Sequence, residues 1–442
     1  MDGNTLIKVG TKLPMEGKGK GEECLVEEFL GGGGQGEVYR VSTKRGNFAL
    51  KWYFKRNQTK ILKDSLKELI SRGSPSPNFL WPKQIIEYKG HFGYLMELRP
   101  THYKKSQKLL DREFSLSYTQ VCNVALALAD SFRKLHVKGL SYQDINWGNL
   151  FIDPTNGSIL ICDNDNVAPH GSSSIGISGT YGFMAPEVVR AEHKPDQYSD
   201  LFSLAVLMFQ LLFLEHPFNG RRWAKIACWD DFAKKKLYGT EPIFIFDPNT
   251  DENRPMPGVQ DNAPIFWNMY PKYIKDNFIK VFTTGLKDRQ NGRLLEEDWI
   301  DAFRNLRESI FPCPHCGREN IFEEYIQANL ICWGKSCNKH LTPPPRLKIK
   351  IGKRDRDIVL NPDTKIYAYQ FESHQHDVEK GDEIVGEVAQ SPGGKWGLRN
   401  LTKTNWNYTA DGVTKEVEPG KAFVLNKQVK VNFGKADGTV IV

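Results

Sequence analysis

Nothing in this sequence is long and apolar enough to read as a membrane span. The longest apolar run, Leu201–Leu214, has fourteen residues and includes Ser203 and Gln210. A spanning helix needs about 20, so this run reads as a buried helix. Met1–Cys24 is polar and Gly/Lys-rich without the apolar core of a secretory signal, and a cytoplasmic location is expected. A disulfide framework is also missing. Of eight cysteines, Cys24, Cys122, Cys162 and Cys228 are scattered and read as small apolar filler. Neither sign of charge dominates: +7 over 442 residues is a slight excess, and no nucleic-acid partner is expected from it. There is no internal repeat, and the only low-complexity tract is Gly31–Gly34.

At this length two or three domains are expected. Residues 22–98 read as strands and turns with one helical stretch near Ile61–Ile70. Residues 115–310 are dominated by helical patterns, with a long polar loop at Pro242–Pro264. A cysteine- and turn-rich segment, 312–343, follows. Beyond Pro343-Pro344-Pro345 come short strands separated by Asp-Gly, Pro-Gly and Gly-Gly turns. The fold class is therefore α+β.

Tyr142-Gln143-Asp144-Ile145-Asn146-Trp147-Gly148-Asn149 sets an aspartate five residues before an asparagine, and Asp163 follows fourteen residues later. Upstream, Gly31-x-Gly33-x-x-Gly36-x-Val38 lies between two strand-like segments. Glycines there let a backbone approach phosphate closely, and a strand rather than a helix after them argues against a dinucleotide-binding βαβ unit. Ala49-Leu50-Lys51 comes next, then Glu68, then Tyr94-Leu95-Met96-Glu97-Leu98-Arg99. Downstream are Gly179-Thr180-Tyr181-Gly182-Phe183-Met184-Ala185-Pro186-Glu187, Ser199-Asp200 and Arg293.

In this order and spacing the set resembles the protein kinases and implies a bilobal kinase fold. The resemblance implies Asp144 as acceptor of the substrate hydroxyl proton, with Asn149 and Asp163 as Mg²⁺ ligands. Lys51 would hold the α- and β-phosphates of ATP and be oriented by Glu68. Gly31, Gly33 and Gly36 would cover the phosphates. Backbone groups near Glu97 and Arg99 would meet adenine, Met96 would back the pocket, and Val38, Ala49 and Phe151 would sandwich the ring. Asp200 would brace the catalytic loop through backbone amides, and Arg293 would pair with Glu187. Thr180 favours serine/threonine specificity.

Four positions depart from the usual pattern. Gln143 replaces an arginine that reads a loop phosphate, so activity should not need loop phosphorylation of the usual kind, although Ser172, Ser173, Ser174 and Ser178 remain modifiable. Tyr142 replaces a histidine, and Asn146 replaces a lysine that neutralises the transferring group. Asn164-Asp165 replaces Phe-Gly after the metal-binding aspartate. The four acting residues Lys51, Asp144, Asn149 and Asp163 are all retained, which favours an enzyme. The competing reading is a nucleotide-binding pseudokinase that serves as a signalling scaffold.

Cys313-Pro314-His315-Cys316-Gly317 and Cys332-x4-Cys337 suit a tetrahedral structural Zn²⁺ site, with His315 or His340 as substitute ligands. Residues 346–442 resemble a forkhead-associated (FHA) domain: Leu347–Ile351 with Gly352-Lys353, Trp396–Leu401 with Thr404-Asn405, and Val429–Gly434. A phosphopeptide is the ligand this implies, although only Asn405 has a clear counterpart among the binding residues. The expected domains are an N-lobe at 1–98 (1–22 an extension), a C-lobe at 99–310, a zinc-ribbon-like element at 311–343 and an FHA-like sandwich at 346–442. With Ile161–Val167 and Glu297-Asp298-Trp299, the whole resembles a group of bacterial serine/threonine kinases. The group is found with a metal-dependent protein phosphatase and a von Willebrand factor A-type protein in tellurium-resistance-type gene neighbourhoods, which implies those partners.

Overall fold

The computed structural model describes residues 6–15, 21–172, 179–323, 330–351, 354–372 and 376–442. They pack as two compact units. The first comprises 1–115, 131–261 and 279–293, and the second 116–130, 262–278 and 294–442.

In the first unit a six-stranded antiparallel sheet is built from β1 (Lys12–Pro14), β2 (Glu23–Gly32), β3 (Gly36–Thr43), β4 (Gly46–Tyr53), β5 (Gln84–Tyr88) and β6 (His91–Glu97), in the order β1-β2-β3-β4-β6-β5. The edge strand β1 was expected to be part of a polar extension. Instead Leu13 pairs with Cys24, and Ile7, Leu13 and Met15 are buried beside Val26, Tyr39 and Trp52. Three apolar side chains in a polar stretch suffice, because each covers one face of the sheet edge.

Helix α1 (Lys60–Arg72) follows β4, capped by the Thr59 hydroxyl, which accepts from the Leu62 N–H at 3.1 Å. It buries Leu66 and Leu69. Further on, the hairpin of β7 (Leu150–Ile152) and β8 (Ile159–Ile161) carries the loops expected to hold metal. Helix α2 (Gln197–Phe213) begins in a capping box between Asp196 and Ser199 and buries every residue from Ser199 to Phe213. A helix apolar on all sides belongs in a core rather than on a surface. The 241–261 stretch forms turns, without helix or strand.

In the second unit, helix α3 (Glu296–Glu308) is amphipathic and buries Trp299, Ile300, Phe303 and Leu306. A short hairpin, β9 (Ile310–Pro312) and β10 (Glu319–Ile321), leads into the cysteine-rich segment. The remaining strands form a six-stranded and a four-stranded sheet around one core that includes Leu347, Ile366, Leu398, Trp406, Phe423 and Val440. Helix α3 is bound to these strands. The Arg356 guanidinium donates to Asn305 at 2.9 Å and Glu308 at 3.3 Å, and the Arg304 guanidinium lies 4.0 Å from the centre of the Tyr369 ring.

Candidate active site

Side chains two apart on a strand share a face, so Lys51 and Tyr53 point the same way from β4, and pairing sets Tyr94 of β6 directly opposite Lys51. That face is buried, with Lys51 only 5% exposed. A buried ammonium needs anionic partners, and the loop after β8 supplies them. The Lys51 ammonium donates to both Asp165 oxygens at 2.9 Å, to Asp163 Oδ1 at 3.2 Å and to Gln35 Oε1 at 3.1 Å. The Tyr53 and Tyr94 hydroxyls donate to Asp165 at 2.5 and 3.2 Å. Burial works against charge on Lys51, but the Asp165 and Asp163 carboxylates outweigh it and raise the amine above its ordinary value. Burial would likewise raise Asp165; the Lys51 charge and the Tyr53 hydroxyl overcome this and hold it below the usual carboxylate range.

Glu68 is not part of this cluster, contrary to expectation. Its carboxylate accepts from Arg72 Nε and Nη2 at 3.0 and 2.8 Å, with the side chain 49% exposed. Arg72 lies one turn on, where a glutamate–arginine pair forms locally, and the buried positions of α1 are Leu66 and Leu69.

Two non-glycine residues next to the acidic groups adopt positive φ: Gln143 at 71° and Asp163 at 54°. Such conformations cost energy and persist where the surroundings over-determine them. Asp200 supplies part of that constraint, its carboxylate accepting from the Tyr142 and Gln143 N–H groups at 2.5 and 2.9 Å. The Gln143 side chain donates to the Ser172 carbonyl at 2.6 Å, so a neutral amide holds the following segment by its backbone. Ser173, Ser174 and Ser178 lie outside the described residues.

Asp144 Oδ1 accepts from the Thr180 hydroxyl at 2.8 Å, and its Oδ2 from Asn149 Nδ2 at 3.3 Å. Asn146 Nδ2 donates to the Asp144 carbonyl at 3.0 Å and to Thr180 Oγ1 at 3.1 Å. Burial raises the Asp144 pKa above the ordinary value, against the hydrogen bonds of Thr180, Asn146 and Asn149. Asn149 uses its amide N–H groups on Asp144, so its Oδ1 is the atom suited to a cation. Asp163 has a side chain 42% exposed and a single lysine contact, which also fits a metal ligand.

Ala49 lies opposite Met96, and both share a cluster with Val38, Leu160 and Cys162. Phe151 of β7 lies under the Arg99 guanidinium at 4.3 Å, and Glu97 is paired with Lys83. The Gly33 N–H donates to the Gly36 carbonyl at 2.9 Å, closing the glycine turn after Gly31. A Cβ at Gly36 would sit 2.2 Å from the Trp52 carbonyl oxygen, so close strand packing alone demands glycine there. Gln35, Tyr53, Tyr94 and Asp165 were missed as site residues by sequence reasoning, and Thr180 was read only as a mark of serine/threonine specificity, not as a partner of Asp144. The usable signal was the buried face shared by Lys51 and Tyr53, together with an acid two residues beyond Asp163.

Arg293 and Glu187 form a bidentate pair at 2.8 and 2.7 Å, with Arg293 3% exposed. Arg293→Ala should therefore lower unfolding free energy by up to about 3–5 kcal/mol, since the buried carboxylate loses both hydrogen bonds and keeps only the more distant Arg289 charge at 3.8 Å. Burial alone would raise Glu187, but the Arg293 hydrogen bonds and charge hold it below its ordinary value. A depressed folded pKa contributes stability that is complete above the unfolded value, about 4.3, and is lost as pH falls through the folded one. In urea melts the deficit of Glu187→Gln should be full at pH 7 and shrink below about pH 4; a deficit independent of pH would refute the ionised pairing.

In the second unit Cys313, Cys316, Cys332 and Cys337 place their sulfurs within 4.8 Å of one another. Two of the pairs are 3.8 and 3.6 Å apart. Four ligands about 2.3 Å from a tetrahedral centre stand about 3.8 Å apart, so the set fits Zn²⁺. Gly317, at φ +73°, allows the tight first turn, in which its N–H donates to the Cys313 carbonyl at 2.8 Å. His315 and His340 are exposed and outside this group. In the terminal sheets Asn405 Nδ2 is engaged by Glu416 at 2.9 Å, and Lys353 lies outside the described residues.

A family model described as protein kinase domain matches residues 25–263. The chain belongs to that family. It is 26% identical over 242 residues to the cell cycle serine/threonine-protein kinase CDC5/MSD2 of Saccharomyces cerevisiae, covering 51% of this chain and 33% of that one. It is 27% identical over 215 residues to G protein-coupled receptor kinase 2 of Caenorhabditis elegans, covering 45% and 29%. To serine/threonine-protein kinase 33 of Mus musculus it is 29% identical over 248 residues, covering 52% and 49%. The chain thus spans half or less of the length of these relatives. Among the described residues no helix is long and apolar enough to cross a membrane.

Proposed function

We propose that this chain is a serine/threonine protein kinase that transfers the γ-phosphoryl group of ATP to a protein hydroxyl. The observation that carries this reading is the chain of contacts in which Lys51 bonds Asp163, Asn149 bonds Asp144, and the Asp163 charge lies near enough to act on Asp144. Asp144 takes the proton as the substrate oxygen bonds to the γ-phosphorus and the bond to the β-bridging oxygen breaks, leaving ADP. Lys51 holds the α- and β-phosphates. Asn149 and Asp163 hold Mg²⁺, which when bound neutralises phosphate charge. Thr180 and Asn149 fix the Asp144 carboxylate, and Asn146 joins Thr180 to the catalytic loop. The serine/threonine kinases it resembles support the residue class of the substrate.

The cysteine cluster is proposed to hold a structural Zn²⁺, with no position left for chemistry. The terminal sheets are proposed as an FHA-like interaction module. A bacterial origin and partnership with a metal-dependent phosphatase and a von Willebrand factor A-type protein rest on the resemblance of Ile161–Val167 and Glu297–Trp299.

The test is incubation of the full chain with γ-labelled ATP, Mg²⁺ and a basic protein substrate. Label on serine or threonine is expected. Mg²⁺-dependent ATP binding with no transfer under any of these conditions would instead favour the scaffold.

A further inference from the structure

The residue that orients the phosphate-binding lysine was expected on helix α1, and no such contact exists among the described residues. Asp163 and Asp165 both touch Lys51, and their surroundings separate their roles. The Asp165 side chain is 1% exposed, against 42% for Asp163. An ionised carboxylate offers about four lone-pair positions. At Asp165, Oδ1 receives Lys51 and Tyr94 and Oδ2 receives Lys51 and Tyr53, all from protein donors. No acceptor position remains for a metal ion. The donors are fixed in turn, because Lys51 and Tyr53 share a face of β4, and Tyr94 stands across from Lys51 on β6.

We infer that Asp165 is the positioning residue for Lys51, taking the place of a helix-borne glutamate, while Asp163 alone of the two acids serves the metal. The lysine is then set by the loop after β8 rather than by movement of α1. Glu68 and Asp165 both line a cavity of about 480 Å³, with Leu62, Ser65 and Leu69 from α1 and Val167 from the loop. Lys51 has its acid without closure of that space.

This inference rests on the kinase reading for the identity of the ligand but is tested by binding alone. Mg²⁺·ADP and adenosine affinities would be measured by calorimetry on the full chain, its Asp165→Asn, Glu68→Gln and Tyr53→Phe variants, and Asp163→Asn. Loss of a charge-assisted contact to the lysine should cost Asp165→Asn at least about tenfold in ADP affinity, with adenosine affinity within about twofold. Only the phosphates meet Lys51, so a general loss of structure would move both ligands. Glu68→Gln should move ADP affinity far less than Asp165→Asn. Tyr53→Phe, which keeps the ring and the charges, should weaken ADP severalfold and decides the matter if Asp165→Asn does not fold.

Equal losses in Glu68→Gln and Asp165→Asn would overturn the inference in favour of a helix that swings in. Parallel losses of ADP and adenosine would reduce Asp165 to a structural role. Loss of the Mg²⁺ dependence of ADP binding in Asp165→Asn, rather than in Asp163→Asn, would make it a metal ligand. A wild-type protein that binds Mg²⁺·ADP yet transfers no phosphate would defeat the kinase reading and leave this comparison decisive.

Discussion

Asp144→Asn should lower kcat for phosphoryl transfer by about 10²–10⁴-fold, the usual contribution of a positioned general base. Mg²⁺·ATP affinity should stay within a few-fold of the parent. The amide has the size of the carboxylate and keeps an oxygen for the Thr180 hydroxyl, which is 2.8 Å away. What it lacks is a basic lone pair for the substrate proton. The bond that Asn149 Nδ2 donates to the other oxygen, at 3.3 Å the longer of the two, is given up, because an amide NH2 cannot accept. Initial rates with labelled ATP, alongside calorimetric binding, separate the two quantities. A variant that kept more than a tenth of the parental kcat would show that the proton goes elsewhere.

The second large effect is expected at the cysteine cluster. Protein purified from zinc-replete medium should carry about one Zn²⁺ per chain by elemental mass spectrometry, and Cys332→Ser should lose it. Among the described residues the local core there is small: Phe311, Phe322, Leu330, Leu341 and Val359 around the two buried thiols Cys313 and Cys332. So few apolar residues cannot offset the entropy of ordering the segment. Metal binding, with an apparent contribution of about 10–16 kcal/mol at neutral pH in comparable sites, would supply the difference. Limited proteolysis after chelation should then cut within 313–341, with protection restored by Zn²⁺. Metal-free wild-type protein with the same resistance would count against a structural zinc.

The two sites were legible to different degrees. A knuckle such as Cys313–Cys316 keeps its ligands close in sequence, and two such turns leave one way to meet. Asp144 and Asn149 are likewise five residues apart, and a short turn brings the amide onto the carboxylate. The buried helix at 197–213 was readable from its run of apolar residues. The first strand was not: Lys12–Pro14 has one buried residue in three, and its pairing partner begins at Glu23. Nor was the environment of Asn146, whose bond to Thr180 spans 34 residues.

The sequence by itself determined the protein kinase class and the side chains at its disposal: Lys51, Asp144, Asn149, Asp163 and four clustered thiols. Those properties lie in residue type and short spacing, which local geometry carries into the fold. Only the tertiary structure decided which acid meets Lys51. Glu68 and Asp165 are both carboxylates, and nothing in their neighbours along the chain ranks them. The choice follows from the facing of β4 and β6 and from a loop more than a hundred residues downstream. A buried ammonium takes the acid delivered to its own side of the sheet, while Glu68, half in solvent, is satisfied by Arg72 one helical turn away.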